Sequence, residues 1–169
     1  WSSDVCSSDL GPVLDRNTLV VSISQSGETV DLLAAMEQAR SVGCPQITVC
    51  NTPGSQTTRV ADGTVYMRMG PEIAVASTKC LTGAIIALHA LALYLGRVRG
   101  TLDRQVERTQ VEAALHIPTA LGETLLLEPA IEALAARFAH FEHFLYLGRG
   151  VSYPMAMEGA DRKSTRLNS

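Results

Sequence analysis

Thr18–Gly43 reads TLVVSISQSGETVDLLAAMEQARSVG, and the succession of residue types within it decides the fold. The apolar, β-branched run from Thr18 to Ser24 predicts a buried strand of the parallel type. Gly27 ends it with a tight turn. From Glu28 to Val42, Leu32, Met36 and Ala39 share one helical face while Asp31, Gln38 and Ser41 fall on others, and Gly43 is the stop signal. Strand, glycine turn and helix are the repeating unit of an α/β sheet.

The turn itself holds more hydroxyls than one helix start needs. With Ser26 as N-cap, Glu28 would sit in the first turn, where the macrodipole favours an acid, and Thr29 would stand beside free N–H groups. Ser24, Gln25, Ser26 and Thr29 would then ring a helix N-terminus with neutral donors, an arrangement suited to a phosphate. A well-capped helix with no ligand is the ordinary alternative. GxGxxG and GxxxxGK[ST] are both absent, so neither a dinucleotide nor a nucleoside triphosphate is signalled.

Outward from this unit the pattern repeats. Gln46–Cys50, QITVC, predicts the next strand, followed by the loop NTPGS. GTVYMRM from Gly63 predicts a third, leading into GPEIAVAS and a long apolar helix from about Thr78 to Leu95. The expected fold is therefore a doubly wound parallel α/β sheet, with the loops after Ser24, Cys50 and Met69 on one rim, where such sheets bind ligands. Beyond Gly100, Leu102 to Leu121 reads as an amphipathic helix and Pro129 as the first-turn proline of another. HFLYLGRG then reads as a strand and turn, and SYPMAMEGA opens a helix. A second α/β unit is expected to start near residue 125, giving a first domain over 11–124 and the beginning of a second over 125–160.

Composition narrows the function classes. The 169 residues are 46% hydrophobic with a net charge of -3 and carry no Lys/Arg run, so neither nucleic acid nor an anionic membrane surface is an expected partner. Cys80 to Leu95 is apolar but interrupted by Thr82, Gly83 and His89, and it is shorter than the roughly 18 to 20 residues that span a bilayer. It is expected to be a buried helix. Cys6, Cys44, Cys50 and Cys80 match neither a zinc motif nor a disulfide framework, so they read as reduced thiols of a cytoplasmic protein. WSSDVCSSDL at 1–10 and DRKSTRLNS at 161–169 differ in character from the rest, and both are expected to be foreign tails.

SISQSGETVDLLAAM, VCNTPGS and GPEIAVASTKCLTG, in this order and spacing, resemble the first sugar-isomerase (SIS) domain of the glutamine–fructose-6-phosphate aminotransferase (isomerising) family, the glucosamine-6-phosphate synthases. FLYLGRGVSYPMAMEGA is similar to the opening of that family's second SIS domain. The resemblance implies a flavodoxin-like three-layer αβα fold, present here incompletely. It implies that Ser24, Gln25, Ser26 and Thr29 bind the sugar phosphate and that Val75 and Ser77 line the same pocket. Lys79, beside them, is expected to be a solvated or structural charge.

The resemblance further implies fructose 6-phosphate as substrate, glucosamine 6-phosphate as product, a glutaminase domain in the parent chain, and a homodimer. No cofactor or metal is implied. Isomerisation moves a proton from C1 to C2 of the sugar and requires a carboxylate base. Glu158 matches the first glutamate of the family's EGALKLKE helix, whereas Arg162 and Thr165 stand where its catalytic lysine and final glutamate fall. Related double-SIS proteins, such as fructose-amine deglycases and ketose-phosphate isomerases, share the phosphate loop, and SIS modules also serve as sugar-phosphate sensors in transcriptional regulators.

Overall fold

A computed structural model of the chain describes residues 14–73 and 77–167, with side chains described as far as Asp161. It divides into two compact units, one running to Asp103 and the other beginning at Arg104.

The first unit is built on a parallel three-stranded sheet in the order β1-β2-β3, comprising β1 (Val20–Ser24), β2 (Gln46–Cys50) and β3 (Gly63–Tyr66). Val20 pairs with Gln46 and Ser24 with Cys50, so the carboxyl ends of β1 and β2 are level; Cys50 in turn pairs with Tyr66. The three loops that follow these strands therefore leave from one edge. This is the α/β fold that the strand, turn and helix succession predicts.

β2 is the most protected strand. Gln46, Thr48, Val49 and Cys50 are all buried, and α1 (Val30–Val42), α2 (Gln56–Val60) and α3 (Lys79–Val98) all contact it. Met36 and Ala39 of α1, Cys44, and Cys80 and Ala84 of α3 complete the core. β1 differs: Ser22 and Ser24 are buried, while Leu19, Val21 and Ile23 on the opposite face are exposed. A parallel strand is normally covered on both faces, and β1 is covered on one.

α1 ends where the sequence places its stop. Gly43 adopts φ 84°, a left-handed C-cap that its missing Cβ permits, and its N–H bonds to Arg40 O. α2 follows the loop NTPGS in a stretch that the sequence reading leaves unassigned; a five-residue helix is too short to show periodicity. α3 is longer than the expected Thr78 to Leu95. At 20 residues it is long and apolar enough to cross a membrane by length and composition, which corrects the expectation that it falls short. It touches the sheet side of the unit through its buried Cys80, Gly83 and Ala84.

The second unit contains α4 (Arg104–Leu125), α5 (Glu128–Phe138), a 3-10 turn (Gly150–Ser152) and α6 (Tyr153–Leu167). α5 carries Pro129 in its first turn, as its sequence predicts. HFLYLGRG is not a strand. His143–Arg149 runs outside any helix or strand, because a strand exists only with a ladder partner and none of the described residues supplies one. α6 continues from SYPMAMEGA through residues 161–167, so the backbone shows no break in structure at Ala160. The boundary between compact units falls after Asp103, at the start of α4.

Candidate functional site: three loops at the carboxyl edge of the sheet

The loop from Ser24 to Thr29 departs from β1 through Gly27, at φ 69°. A side chain there would do more than strain the backbone: a Cβ would fall 2.6 Å from both Ser55 Cβ and Thr57 Oγ1 and also against Ser55 Oγ. Glycine is thus required twice, by conformation and by the close approach of the next loop. Gly27 N–H donates to Ser24 Oγ at 2.8 Å, and Glu28 N–H to Ser26 Oγ at 3.2 Å.

These local turns correct the sequence reading of the cap. The N-cap is Thr29, not Ser26, and its side chain makes no capping hydrogen bond. Ser26 bonds its own loop two residues on, as short hydroxyl side chains readily do, so the helix begins later. Glu28 consequently lies outside the first turn, where Asp31 is the acid instead. The N–H groups opening α1 carry no side-chain cap, which leaves them directed at whatever lies beyond the helix end.

The loop after β2 grips this one at several points. Thr52 Oγ1 donates to Gln25 O at 3.2 Å, Thr57 N–H to Gly27 O at 3.1 Å, and Gln56 N–H to Glu28 Oε1 at 2.9 Å. On its other side Asn51 reaches the loop after β3. Asn51 Nδ2 donates to Gly70 O at 2.8 Å, while Met69 N–H donates to Asn51 Oδ1 at 2.9 Å.

The third loop is tied to the start of α3 by Glu72. Its carboxylate accepts from Thr78 N–H at 2.9 Å, Thr78 Oγ1 at 2.7 Å, Ser77 Oγ at 3.3 Å and Cys80 N–H at 3.5 Å. Hydrogen bonds from Thr78 and then from Cys80 hold the Glu72 carboxyl down at about 2. Burial, reinforced by the Glu72 carboxylate, pushes the Cys80 thiol up to about 11. Lys79 Nζ donates to Pro71 O at 2.7 Å, a bond within its own loop.

Between the loops lies a cavity of about 630 Å³, lined by Gln25, Asn51, Thr52, Tyr66, Arg68 and Pro71 among others. Its position at the carboxyl ends of the strands is where an α/β sheet offers a ligand pocket. Arg68 brings a cation to this lining and holds φ 55°, the only positive φ among the described non-glycine residues. The sequence reading emphasised the neutral loop and passed over Arg68. That reading ran the third strand on to Met69 and so placed Arg68 inside it, whereas β3 ends at Tyr66.

Of the residues singled out from sequence, Ser24, Gln25, Ser26 and Thr29 share the first loop, with Ser24 buried, Gln25 and Ser26 half-buried and Thr29 exposed. Gln25 reaches the cavity. Ser77 is half-buried beside Glu72, and Val75 lies outside the described residues. Glu158 belongs to α6 in the second unit. Cys44, Cys50 and Cys80 are free and buried, and among the described residues no group of three or more His, Cys, Asp or Glu is placed to hold a metal ion.

A parallel sheet with a hydroxyl-rich, glycine-hinged loop at its carboxyl edge defines the class, and the family comparison agrees: residues 7–94 match the SIS domain model, and the chain belongs to that family. Among curated relatives, the glutamine–fructose-6-phosphate aminotransferase (isomerising) of Pseudomonas putida is 48% identical over 88% of this chain, and that of Bordetella parapertussis 49% identical over 88%. The chain spans about a quarter of the length of these relatives, 24%. In structure it is similar to the C-terminal domain of glucosamine-fructose-6-phosphate aminotransferase from Francisella tularensis, with a TM-score of 0.86 and 33% identity over 90% of this chain and 44% of that one.

Proposed function

We propose that this chain is part of the isomerase region of an enzyme making glucosamine 6-phosphate from fructose 6-phosphate and glutamine. The observation that carries the reading is the Ser24–Thr29 loop. Its hydroxyl oxygens accept local N–H groups, so their protons can turn outward to an anion, and the first-turn N–H groups of α1 have no side-chain cap. Free N–H groups at the positive end of a helix favour phosphate without a charged clamp. Asp31 in that first turn offsets part of the attraction, which fits a substrate that exchanges rather than a tightly held cofactor.

In this reading Ser24, Gln25, Ser26 and Thr29 hold the phosphate, and Val75 and Ser77 line the sugar's pocket. Glu158, from the beginning of a second SIS domain over 125–160, is the carboxylate nearest in sequence to the acid-base chemistry. Arg162 and Thr165 replace the lysine and glutamate that the chemistry calls for, and the segments 1–10 and 161–169 are foreign. The enzyme is cytoplasmic and dimeric, takes ammonia from a glutaminase domain of the parent chain, and uses no nucleic acid, membrane, cofactor or metal.

A titration of ¹⁵N-labelled chain with fructose 6-phosphate tests the binding. The expected result is weak, saturable shifts centred on the amides of Ser24 to Val30, reduced in Ser26→Ala and Thr29→Ala, and no formation of glucosamine 6-phosphate when an ammonium salt is supplied as nitrogen donor. Shifts elsewhere, or none, would remove the loop from the site.

A further inference from the structure

The cavity at the carboxyl edge carries one charge in its described lining. Gln25, Asn51, Thr52 and Tyr66 are polar and neutral, and Arg68 is the cation. No carboxylate stands among the described lining residues to cancel it. Glu72 follows the lining residue Pro71, yet its oxygens already accept from Ser77, Thr78 and Cys80. A pocket whose walls bear charge of one sign concentrates ligands of the other. This one therefore draws anions.

Arg68 also carries the backbone strain of the third loop. Its φ of 55° falls in the left-handed region, which costs an arginine energy and a glycine almost none, and Gly70 two residues on meets the same demand at φ 69°. Asn51 braces the segment just beyond it: its Oδ1 accepts from Met69 N–H at 2.9 Å and its Nδ2 donates to Gly70 O at 2.8 Å. Strained backbone persists where the surroundings over-determine it, and it collects at ligand sites. Here the strained residue is also the one that charges the cavity.

We infer that this cavity is a second anion subsite, separate from the N-terminus of α1, in which Arg68 grips a phosphate monoester. Of the Ser24–Thr29 loop only Gln25 is among the described lining residues, so the cavity does not depend on the hydroxyls of Ser26 and Thr29. The guanidinium fork takes two phosphate oxygens. The Gln25 amide and the Tyr66 hydroxyl, bonded to no described residue, stand on the same lining for a third, which a carboxylate lacks. The volume of about 630 Å³ leaves room for the esterified group as well. The Asn51 amide and the Thr52 hydroxyl are taken up by the loops themselves.

The test follows amide shifts of the ¹⁵N-labelled full chain with inorganic phosphate and glycerol 2-phosphate as probes, in the native sequence, Arg68→Asn, Arg68→Lys and the double variant Ser26→Ala, Thr29→Ala. Asparagine tolerates the left-handed backbone, so Arg68→Asn removes the cation and leaves the bend. The expected result is a set of shifts over Asn51, Thr52 and Tyr66 to Gly70, titrating apart from the amides of Ser24 to Val30. Arg68→Asn should weaken that set about tenfold, and Arg68→Lys, which keeps the charge and loses the fork, about threefold. The double variant should leave it within about twofold of native. No such shifts with either probe, a native response in Arg68→Asn, or weakening of both sets together in every variant overturns the second subsite. Loss of the first-loop set alone overturns the phosphate reading of that loop and leaves this proposal standing. Should Arg68→Asn not fold, salt decides in the native chain: a several-fold fall in affinity between about 20 and 200 mM sodium chloride supports the charged grip, and an unchanged affinity overturns it.

Discussion

The two units of this chain contrast in what their apolar residues do. Up to Asp103, Met36, Val49, Cys50 and Cys80 are at most 1% exposed and close a core around β2. From Arg104 onward the described residues include none that is buried, and Leu126 at 79% and Val151 at 92% are almost fully accessible. Both units have good helices. Periodicity secures a helix, but burial requires a second surface, and only the sheet provides one.

The contrast can be broken or sharpened by substitution. Gly27→Ala should have the largest effect, destabilising the first unit by about 3 kcal/mol, from the left-handed penalty together with overpacking against Ser55 and Thr57. Urea unfolding followed by a probe in each unit checks it, and an equal loss in α4 would erase the distinction drawn here. Met36→Ala should remove about 2 to 3 kcal/mol by opening a cavity. Leu126→Ala, an equally apolar truncation on an exposed site, should stay within about 0.5 kcal/mol. Equal costs for that pair would mean that the second unit has a core of its own.

Gly43→Ala should cost about 1 kcal/mol through the left-handed C-cap, read from the same unfolding curves. Glu72 adds a pH signature confined to the first unit. Its folded pKa of about 2 lies below the ordinary 4.5, so its stabilising effect is present above about 4.5 and fades as pH falls towards 2. The stability gap between native chain and Glu72→Gln, followed by thermal melts from pH 6 to 2, should close across that window. The smallest effect belongs to Arg108→Ala. Its 2.8 Å pair with Glu112 joins side chains that are 74% and 57% exposed, so its loss should change stability by at most about 0.5 kcal/mol.

How much was legible in the sequence follows the same division. QITVC became β2 residue for residue and Gly43 ended α1, because a buried strand and a left-handed cap each depend on local residue types. FLYLGRG was misread as a strand for the opposite reason, since its alternation is local but its ladder is not. The hydroxyl residues of the first loop were legible as a set; that Thr29 rather than Ser26 stands at the N-cap of α1 was not, because Ser26 had a competing local turn. Asn51 bonds the loop after β3 through its side-chain amide, and one strand's sequence says nothing of its neighbour's loop. The SIS motifs identified the family without needing any of those contacts.

Cys80 gives the first unit a chemical clock. Buried at 1% and raised to about 11, its thiol is almost entirely protonated at neutral pH and shielded from alkylating reagents. Glu72, which accepts from Cys80 N–H, is the same group that holds Ser77 and Thr78. Labelling of Cys80 by a small electrophile therefore requires the start of α3 to open, and its rate measures how firmly that end of the helix is held.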